Sequence, residues 1–493
     1  MASPTARAGT LWFYGFAAVL LVSWFAAICT EEFALALVAP VLLFVFVSIN
    51  DLKFVYLLLW MVLPLSTEMD LPYGFATDFP SELLIGGLML LFFPFVLSRP
   101  DAFPRDFLKH PLIFLLLLHY VWIWISTLYS EFLPVSLKFS LAKTWYIVTF
   151  VFVTALLIRS STDFRKAFGL YLLPLLFTVV YTMVRHAESG FAFATVNDPM
   201  RPFYRNHVAY ACVLAQSVPL YIWFSNTHPF LRRHRLIAWS ILLLLLAAIA
   251  LAYTRSAWVS LIVAAMAYPL IRLRLLTWAV AGAFLLAVAF FVYMALQGRY
   301  LNYQPDFERT VYHPELADHL EATFEGRDVS SAERIYRWVA AFRMWEDQPL
   351  TGFGPSNFYN FYKKYTVTGF RTWVSENTER SSVHNYFLQL LTEQGIIGLL
   401  LFLLLTLGIF ATAQRVYTQC VSPQDRNYVM AITLALVIIY VNNTLSDLIE
   451  TDKIGSLFFI CIALLVHQDL ANRNQHQCAD RNSEHMGVNR TGT

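Results

Sequence analysis

The sequence predicts an all-α integral membrane protein with about 12–14 transmembrane helices and one large outer loop that contains short helices. Of the 493 residues, 58% are hydrophobic and only 14% are charged, whereas about a quarter of the residues in soluble domains are charged. A transmembrane helix needs about 20 apolar residues, and the chain contains fourteen apolar segments, some of them shorter. The net charge of +2 is too small to indicate a nucleic-acid partner.

Eleven of the apolar segments precede the large loop, and three follow it. In chain order they lie near residues 11–29, 33–49, 53–66, 82–98, 111–129, 139–158, 166–184, 207–225, 236–253, 255–271, 276–297, 388–413, 427–445 and 452–467. The second and third segments adjoin each other and could form one hairpin. The ninth and tenth are joined by almost no loop.

These segments divide the chain into four parts. We expect N-terminal transmembrane helices over 1–297, the large loop over 298–387, three C-terminal transmembrane helices over 388–468 and a tail over 469–493. The tail is polar and rich in Asn, Gln and His, so we expect it to be disordered.

The distribution of Lys and Arg in the short loops predicts the orientation, because these residues favour the cytoplasmic side. They occur in alternate loops, for example at Arg232, Arg233 and Arg235, whereas the opposite set of loops begins with Glu31 and Glu32. We therefore expect both termini in the cytoplasm and the large loop outside.

Several basic residues fall on the outer side, where this rule does not explain them. Those considered for a binding site are Lys143, Arg201, Arg205, Arg255, Arg334 and Arg337. Arg255 lies in the turn between two apolar segments, where a guanidinium costs several kcal/mol unless it meets a counter-charge. Its planar fork of donors suits a phosphate, so we predict that it binds an anionic lipid head group. The alternative is an arginine that reaches the interface or pairs with Asp447 or Glu450.

A helix is predicted in the second half of the large loop. Ser330 and Glu333 have the spacing of a capping box, which indicates that the helix begins there. Apolar residues recur at helical spacing and are expected to form its buried stripe. They are Ile335, Trp338, Val339 and Phe342.

Arg334 and Arg337 are three residues apart and therefore share a face of this helix. Two arginines on one face could grip a diphosphate, with Arg255 as a third contact. The alternative is an ordinary polar helix face. Farther along, Gly352 and Gly354 predict a tight turn, which could also offer backbone N–H groups to an oxyanion.

His384 lies where the chain returns to the membrane, at the start of an apolar helix. A neutral imidazole can accept a proton from a hydroxyl near physiological pH. A helix start also presents N–H groups that favour an anion. The residue is therefore a candidate catalytic base, although a single histidine at this position could equally be structural.

The run His384–Asn385, nine intervening residues and Gly395, followed by a long apolar helix, resembles the signature of the O-antigen ligase and polymerase superfamily. Three upstream motifs, in the same order, are similar to other landmarks of that superfamily. They are TRSAW at 254–258, ERIYRW at 333–338 and PLTGFGPSNF at 349–358. The resemblance spans roughly residues 200–465. Many ligases have Ser after the histidine and fewer helices, which leaves ligase and polymerase both open.

The resemblance implies an inverting, metal-independent glycosyltransferase of the GT-C type, which needs no cofactor. Its site would face the periplasm from the bacterial inner membrane, among membrane lipids. The implied donor is a glycan carried on undecaprenyl diphosphate. In lipopolysaccharide biosynthesis, ligases transfer this glycan to a sugar hydroxyl of lipid A-core, whereas polymerases extend one lipid-linked repeat with another.

The resemblance also implies roles for individual residues. Arg255 and one loop arginine, Arg334 or Arg337, would hold the diphosphate, and His384 would activate the acceptor. Arg201 and Arg205 are further candidates for the diphosphate. The possible substrate contacts are Asn385, Lys143, Asp447 and Glu450. The two acidic residues among them could instead balance the arginines, and no metal site is expected.

Two alternatives remain open from the sequence. An O-antigen or exopolysaccharide polymerase would use the same chemistry. A lipid-linked oligosaccharide flippase belongs to another class, and a large number of helices would also suit it. A flippase should show two related halves and charged residues inside the membrane, whereas the charges here lie mostly at the outer ends of the helices.

Overall fold

The computed structural model describes residues 51–71, 75–296, 298, 329–372, 374–377 and 381–488, together with a few positions between 15 and 30. The predicted segment near 33–49, most of the one near 11–29, Glu31 and Glu32 lie outside the described residues. So does most of the first third of the large loop. The predicted class, an all-α membrane protein, is confirmed.

The helices are numbered here in chain order over the described residues. Their bounds are α1 Leu52–Val62, α2 Ser81–Ser98, α3 Arg105–Leu108, α4 Pro111–Leu128, α5 Leu133–Ile147, α6 Ser161–Glu188, α7 His207–Thr227, α8 Pro229–Arg233, α9 Arg235–Leu251, α10 Arg255–Arg272, α11 Leu276–Leu296, α12 Val329–Asp347, α13 Phe358–Phe361, α14 Tyr386–Gln419, α15 Pro423–Asn443 and α16 Asp452–Val488. Helix α5 continues through a π-helical segment, Val148–Val153, into Thr154–Leu157. Short 3₁₀ turns lie at Leu63–Leu65, Pro100–Ala102, Phe193–Thr195, Asp198–Met200, Tyr362–Tyr365, Thr368–Phe370 and Leu448–Glu450.

Eight of the described helices are long and apolar enough to cross a membrane. They are α2, α4, α5 with its continuation, α6, α7, α11, α14 and α16. Two shorter apolar helices are α1 with its 3₁₀ turn and α9. Helices α10 and α15 coincide with the predicted segments 255–271 and 427–445 but are not in the apolar group, because polar and charged residues occupy their ends.

The two ends of the bundle can be told apart by helix α14. It begins directly after His384 and ends at Gln419, and we call these the His384 end and the Gln419 end. Helix α15 returns towards the His384 end, where Asn385 donates a hydrogen bond to the carbonyl oxygen of Thr444. Helix α10 packs along α15, and its last turn meets Gln414 near the Gln419 end. Arg255, at the start of α10, therefore lies at the His384 end.

One antiparallel hairpin interrupts the helical pattern. Strand β1 (Thr67–Leu71) pairs with β2 (Phe75–Phe79), with Thr67 opposite Phe79. No strand is predicted from the sequence in this segment, because apolar periodicity over so few residues is weak. The hairpin leads directly into α2, whose Ser81 hydroxyl donates to the Asp452 carboxylate at the start of α16. The hairpin therefore sits at the His384 end.

Helix α14 is broken at Gly395, whose φ of 69° lies in the left-handed region. The groups that the break releases are bonded elsewhere: Phe353 and Gly354 donate backbone N–H groups to the carbonyls of Thr392 and Glu393. A Cβ at Gly395 would overlap the carbonyl of Leu350. Only glycine fits this close approach, so the break fixes the loop segment to the helix.

The segment 329–377, which we call the loop layer, has its own apolar core against the first turns of α14. Its buried residues on α12 are Tyr336, Val339, Ala340, Ala341 and Met344. Of the four residues predicted for the stripe, Val339 is the one that belongs to this set. The other three predicted residues, Ile335, Trp338 and Phe342, lie partly buried at its margin.

Of the capping box predicted at the start of α12, the side chain of Ser330 lies outside the described residues, and the Glu333 carboxylate has distant partners. Glu333 instead lies inside the helix, and its carboxylate accepts hydrogen bonds from the hydroxyls of Thr372 and Ser375. These partners are about forty residues away in the chain, so tertiary contacts override the local capping pattern.

The disordered tail that the sequence predicts from Asp469 differs from the structure. Helix α16 continues past this residue, and the Asp469 side chain is fully buried. Its carboxylate accepts hydrogen bonds from Arg415 at 2.9 Å and Arg473 at 2.6 Å, and it lies 2.9 Å from His110 Nε2. These three partners compensate the charge and keep the polar end of α16 helical at the Gln419 end.

Candidate functional site

His384 occupies a sharp turn between the loop layer and α14. Its φ of 56° lies in the left-handed region, and its backbone N–H donates to Ser382 Oγ at 3.3 Å. Burial lowers the pKa of the imidazole to about 3, and the positive charges of Arg337 and then Arg334 add to this effect. The structure therefore brings the three predicted residues together, with a neutral imidazole in a positive field.

Arg337 is held inside the loop layer. Its Nη1 donates to the carbonyl oxygen of Ser382 and its Nη2 to the Glu333 carboxylate, both at 3.4 Å. Its exposed fraction is 5%. Because Ser382 is two residues before His384, this contact fixes the turn that carries the imidazole.

Arg334 lies one turn earlier on α12 and is half-buried. The two arginines share a face, as the spacing predicts, since both act on the pKa of His384. They differ in environment: Arg337 is enclosed and bonded to backbone and Glu333, whereas Arg334 retains an accessible surface. Arg334 is thus the better placed of the two to meet a ligand.

Asn385 has a structural task in this turn. Its Oδ1 accepts from the backbone N–H of Leu388, which makes it the N-cap of α14, and its Nδ2 donates to the carbonyl of Thr444. The side chain is 7% exposed. The carboxamide therefore ties the start of α14 to the end of α15, and its bonds are made to the chain itself.

Asp447 connects the α15–α16 turn to the same site. Burial raises the pKa of its carboxyl, while a hydrogen bond with Ser382 and the charge of Arg205 lower it. Ser382 also accepts from the backbone N–H of His384. Ser382 thus links the Asp447 carboxyl to the backbone of His384, and the charge of Arg205 acts on the same carboxyl.

Lys143 and Glu450 form a compact cluster beside the start of α14. The Lys143 ammonium donates to Glu450 at 2.5 Å, and the Tyr386 phenol donates to the other carboxylate oxygen at 2.7 Å. The lysine also lies over the rings of Phe139 and Phe459. Of the two readings of Glu450, sugar contact or charge balance, this geometry favours charge balance.

Arg255 begins α10 in a half-buried position. The preceding residue, Thr254, donates its hydroxyl to the carbonyl of His207 at 3.3 Å, which brings the turn next to the start of α7. Arg205 lies two residues before His207 and is exposed, and so is Arg201. The carbonyl of Arg201 accepts a hydrogen bond from Arg185. All three arginines therefore lie on elements at the His384 end.

The backbone just after the tight turn at Gly352 and Gly354 binds an oxyanion, but the anion belongs to the protein. The Glu393 carboxylate accepts from the backbone N–H groups of Ser356 at 2.7 Å and Phe358 at 3.1 Å. Its side chain is buried. Sequence reasoning missed this residue, although a single glutamate early in a long apolar run was a signal for a buried partner.

A second missed feature is a pair of carboxyl groups between β2 and α16. Burial raises the pKa of Asp78 to about 7, and the charge of Asp452 adds to it. Lys453 lies next to the pair and donates to the carbonyl of Ser66 at 2.7 Å. The sequence places Asp78 and Asp452 on the same side of the membrane, but only the hairpin brings them together.

Comparison with protein-family models matches residues 240–403 to the family described as O-antigen ligase. The matched segment is about a third of the chain. It begins in α9, contains α10 to α13 and ends after the break in α14. It therefore includes Arg255, Arg334, Arg337 and His384, while Arg205 and Asp447 lie outside it. No curated protein matches the chain.

The fold and the match agree on one conclusion. The chain is a multi-pass membrane protein, and the matched segment holds the arginine turn, the α12 arginines and the histidine turn that the sequence singled out. The resemblance to the O-antigen ligase and polymerase superfamily is thereby confirmed, and residues 240–403 are the segment that is similar to the family described as O-antigen ligase.

Proposed function

We propose that this protein is a metal-independent, inverting glycosyltransferase that transfers a glycan from undecaprenyl diphosphate to a sugar hydroxyl of lipid A-core. The reaction would take place at the His384 end, on the periplasmic face of the bacterial inner membrane. One observation carries the proposal: the neutral imidazole of His384 lies in the field of Arg334 and Arg337. A neutral imidazole can take the proton of the attacking sugar hydroxyl, and the nearby positive side chains can stabilise an anionic leaving group.

The arginines would stabilise the leaving diphosphate. As the anomeric C–O bond breaks, negative charge grows on the diphosphate, and fixed cations nearby lower the barrier. Arg334 is proposed as the loop arginine that contacts the diphosphate, because it is more accessible than Arg337. Arg255 would supply the contact from the membrane side, and Arg201 and Arg205 would extend the positive surface.

His384 would act as the general base. The acceptor oxygen attacks the anomeric carbon from the side opposite the diphosphate, its proton moves to the imidazole, and the configuration inverts. A pKa of about 3 keeps the free imidazole neutral, but it also makes the group a weak base. Binding of an anionic diphosphate would cancel the charge of the arginines and raise this pKa towards the value that proton transfer needs.

The remaining candidates would position these groups. Arg337 holds the Ser382 carbonyl next to the imidazole, and Asn385 caps α14. Lys143 and Glu450 neutralise each other at the start of the same helix. Asp447, near Ser382 and Arg205, remains the carboxyl group best placed to meet an acceptor sugar.

The test is complementation of cells that lack the protein, with wild type, His384→Ala or Arg255→Ala at matched membrane levels. Arg371→Ala is the matched control, because Arg371 is an exposed loop-layer arginine that pairs with Glu376 at the surface. Lipopolysaccharide and the undecaprenyl-linked pool are analysed side by side. We expect long carrier-linked glycans and bare lipid A-core with the two site variants, and normal transfer with the control.

Other outcomes separate the alternatives. If only single repeats accumulate on the carrier, the protein is a polymerase. If the glycan stays on the cytoplasmic face, the protein is a flippase. If both site variants transfer glycan as well as wild type does, the proposed catalytic roles are wrong.

A further inference from the structure

The Gln419 end holds a cavity that the proposed reaction does not use. Its volume is about 240 Å³, and it is lined by three arginines and two hydroxyl-bearing residues. They are Arg272, Arg274, Arg426, Tyr417 and Thr418. A water molecule in the liquid occupies roughly 30 Å³, so the cavity has room for a phosphate group with its ester substituents.

Two helix connections from distant parts of the chain build the cavity. The turn from α10 to α11 brings Arg272 and Arg274, and the turn from α14 to α15 brings the other three residues. The buried side chain of Gln414 joins these turns: its Nε2 donates to the carbonyl of Ile271 at 2.9 Å, and its Oε1 accepts from the backbone N–H of Leu276 at 3.3 Å. The two turns that carry the arginines are therefore held in a fixed position relative to each other.

Arg274 occupies a backbone position at which glycine would be more stable. Its φ is 62°, and the hydrogen bonds from Leu275 to Leu270 and from Arg274 to Ile271 form the motif that commonly ends a helix with a left-handed glycine. A side chain at such a position costs free energy. The chain nevertheless places a guanidinium there, in the lining of an already positive cavity.

The charge in the cavity is not balanced locally. Among the described residues, no carboxylate lies within ion-pair distance of Arg272, Arg274 or Arg426, although Asp425 precedes the last of them. Arg426 uses its Nε to donate to the carbonyl of Cys420 at 2.8 Å, and no hydrogen bond within the described chain uses its two terminal nitrogens. Such a site favours an anion with several oxygen atoms.

Apolar side chains around the cavity indicate where that anion comes from. Leu273, Leu275 and Val421 adjoin the arginines and are 66%, 45% and 72% exposed. Exposed leucines beside a cationic pocket at the ends of membrane helices suit the acyl-glycerol part of a lipid. A soluble phosphate would gain nothing from them.

We propose that this cavity binds the phosphate of an anionic phospholipid at the face opposite the catalytic site. The three guanidiniums hold the phosphate oxygens, the hydroxyls of Tyr417 and Thr418 add hydrogen bonds, and the lipid tails run along the exposed leucines. The bound lipid would join the α10–α11 turn to the α14–α15 turn. The proposal does not depend on the glycan, the linkage or the acceptor.

The test compares lipid binding by wild type and by Arg272→Gln/Arg274→Gly in nanodiscs with increasing phosphatidylglycerol in phosphatidylethanolamine. Glycine suits the φ of Arg274, so this variant should fold, and Arg274→Gly alone is a second variant with little risk to the fold. The control is Arg232→Gln/Arg233→Gln, which removes the same charge from exposed positions of α8. Bound lipid is counted by native mass spectrometry after mild delipidation.

We expect wild type to retain phosphatidylglycerol over phosphatidylethanolamine and the cavity variant to bind it roughly 10- to 30-fold more weakly, because each arginine near a membrane surface contributes roughly fivefold. The control should change by less than about twofold. Equal loss in the control, or no loss in the cavity variants, would overturn the proposal. So would inorganic phosphate alone displacing the lipid completely at millimolar concentration, because the site would then be one for soluble phosphate.

Discussion

The ammonium of Lys143 lies 2.5 Å from the Glu450 carboxylate, across 307 positions of the sequence. The same carboxylate accepts from the Tyr386 phenol, so helix α5, the α15–α16 turn and the start of α14 meet at one ion pair. Both charges are largely buried, at 8% and 19% side-chain exposure. The pair therefore fixes the position of the helix that follows His384.

The effects of removing Lys143 and Glu450 on the free energy of unfolding should not be additive. We expect Lys143→Met or Glu450→Gln alone to lower the free energy of unfolding by about 3 kcal/mol, because each leaves a buried partner uncompensated. The double variant should lose clearly less than the sum of the two. Equilibrium unfolding in detergent measures this, with Tyr386→Phe as a control expected to cost about 1 kcal/mol. Additive losses would mean that the two charges are not coupled.

The break in α14 should not tolerate a side chain. Gly395→Ala combines a left-handed φ with overlap of the Leu350 carbonyl, so we expect a loss of at least about 4 kcal/mol or failure to accumulate in the membrane. Gly86→Ala is the matched control, since a Cβ there meets nothing within 4 Å. Protein levels and thermal unfolding report the result. Normal stability of the Gly395 variant would show that α14 can be continuous.

Asn385 should act through stability and not through contact with substrate. Asn385→Ala removes the cap of α14 and the bond to Thr444 and should cost about 1–2 kcal/mol. Asn385→Ser keeps a capping oxygen and should recover most of that loss. We expect kcat to follow the folded fraction in both variants, measured by thermal unfolding and transfer assays on the same preparation. A large drop in kcat for the stable Ser variant would instead indicate a substrate contact.

The pH dependence of transfer should report on the arginines next to His384. Because the pKa of the free imidazole is lowered to about 3, His384 is neutral at pH 7 and begins to take up a proton only in strong acid. The acid limb of kcat/KM that it causes should therefore lie below pH 5. Arg334→Gln removes one of the charges that lower the pKa, so the limb should move to higher pH.

The measurement is a transfer assay with a carrier-linked donor from pH 8 down to the pKa of about 3, so that the wild-type limb is recorded. Arg371→Gln, at the exposed edge of the loop layer, is the control and should leave the limb in place. If the acid limb is identical in wild type and Arg334→Gln, the charge of Arg334 does not affect the pKa of His384.

Local sequence signals predict where the main parts of the candidate site lie in the fold. Arg255 begins α10, as the boundary of an apolar segment after a polar turn predicts, and His384 precedes α14 for the same reason. The amphipathic pattern located α12 in the loop, with Arg334 and Arg337 on one face. These features depend on residues within a few turns of each other, so spacing along the chain is sufficient to predict them.

Other features depend on partners far apart in the sequence. Glu333 satisfies the spacing of a capping box, yet its carboxylate bonds Thr372 and Ser375. The hydrogen bond from Asn385 to the carbonyl of Thr444 joins residues that are 59 positions apart, so spacing along the chain does not predict it. Trp338 was predicted for the buried stripe of α12 but lies at its margin, where its indole N–H donates to the Val383 carbonyl.

The contact between Glu393 and the N–H groups of Ser356 and Phe358 also constrains how a substrate can arrive. Lifting this part of the loop layer away from the membrane would strand a buried carboxylate and two backbone donors, at a cost of several kcal/mol. The segment from Gly352 to Phe358 is therefore expected to stay fixed on α14 and not to move as a lid. On the proposed function, the donor would therefore reach the His384 end beside this segment, without displacing it.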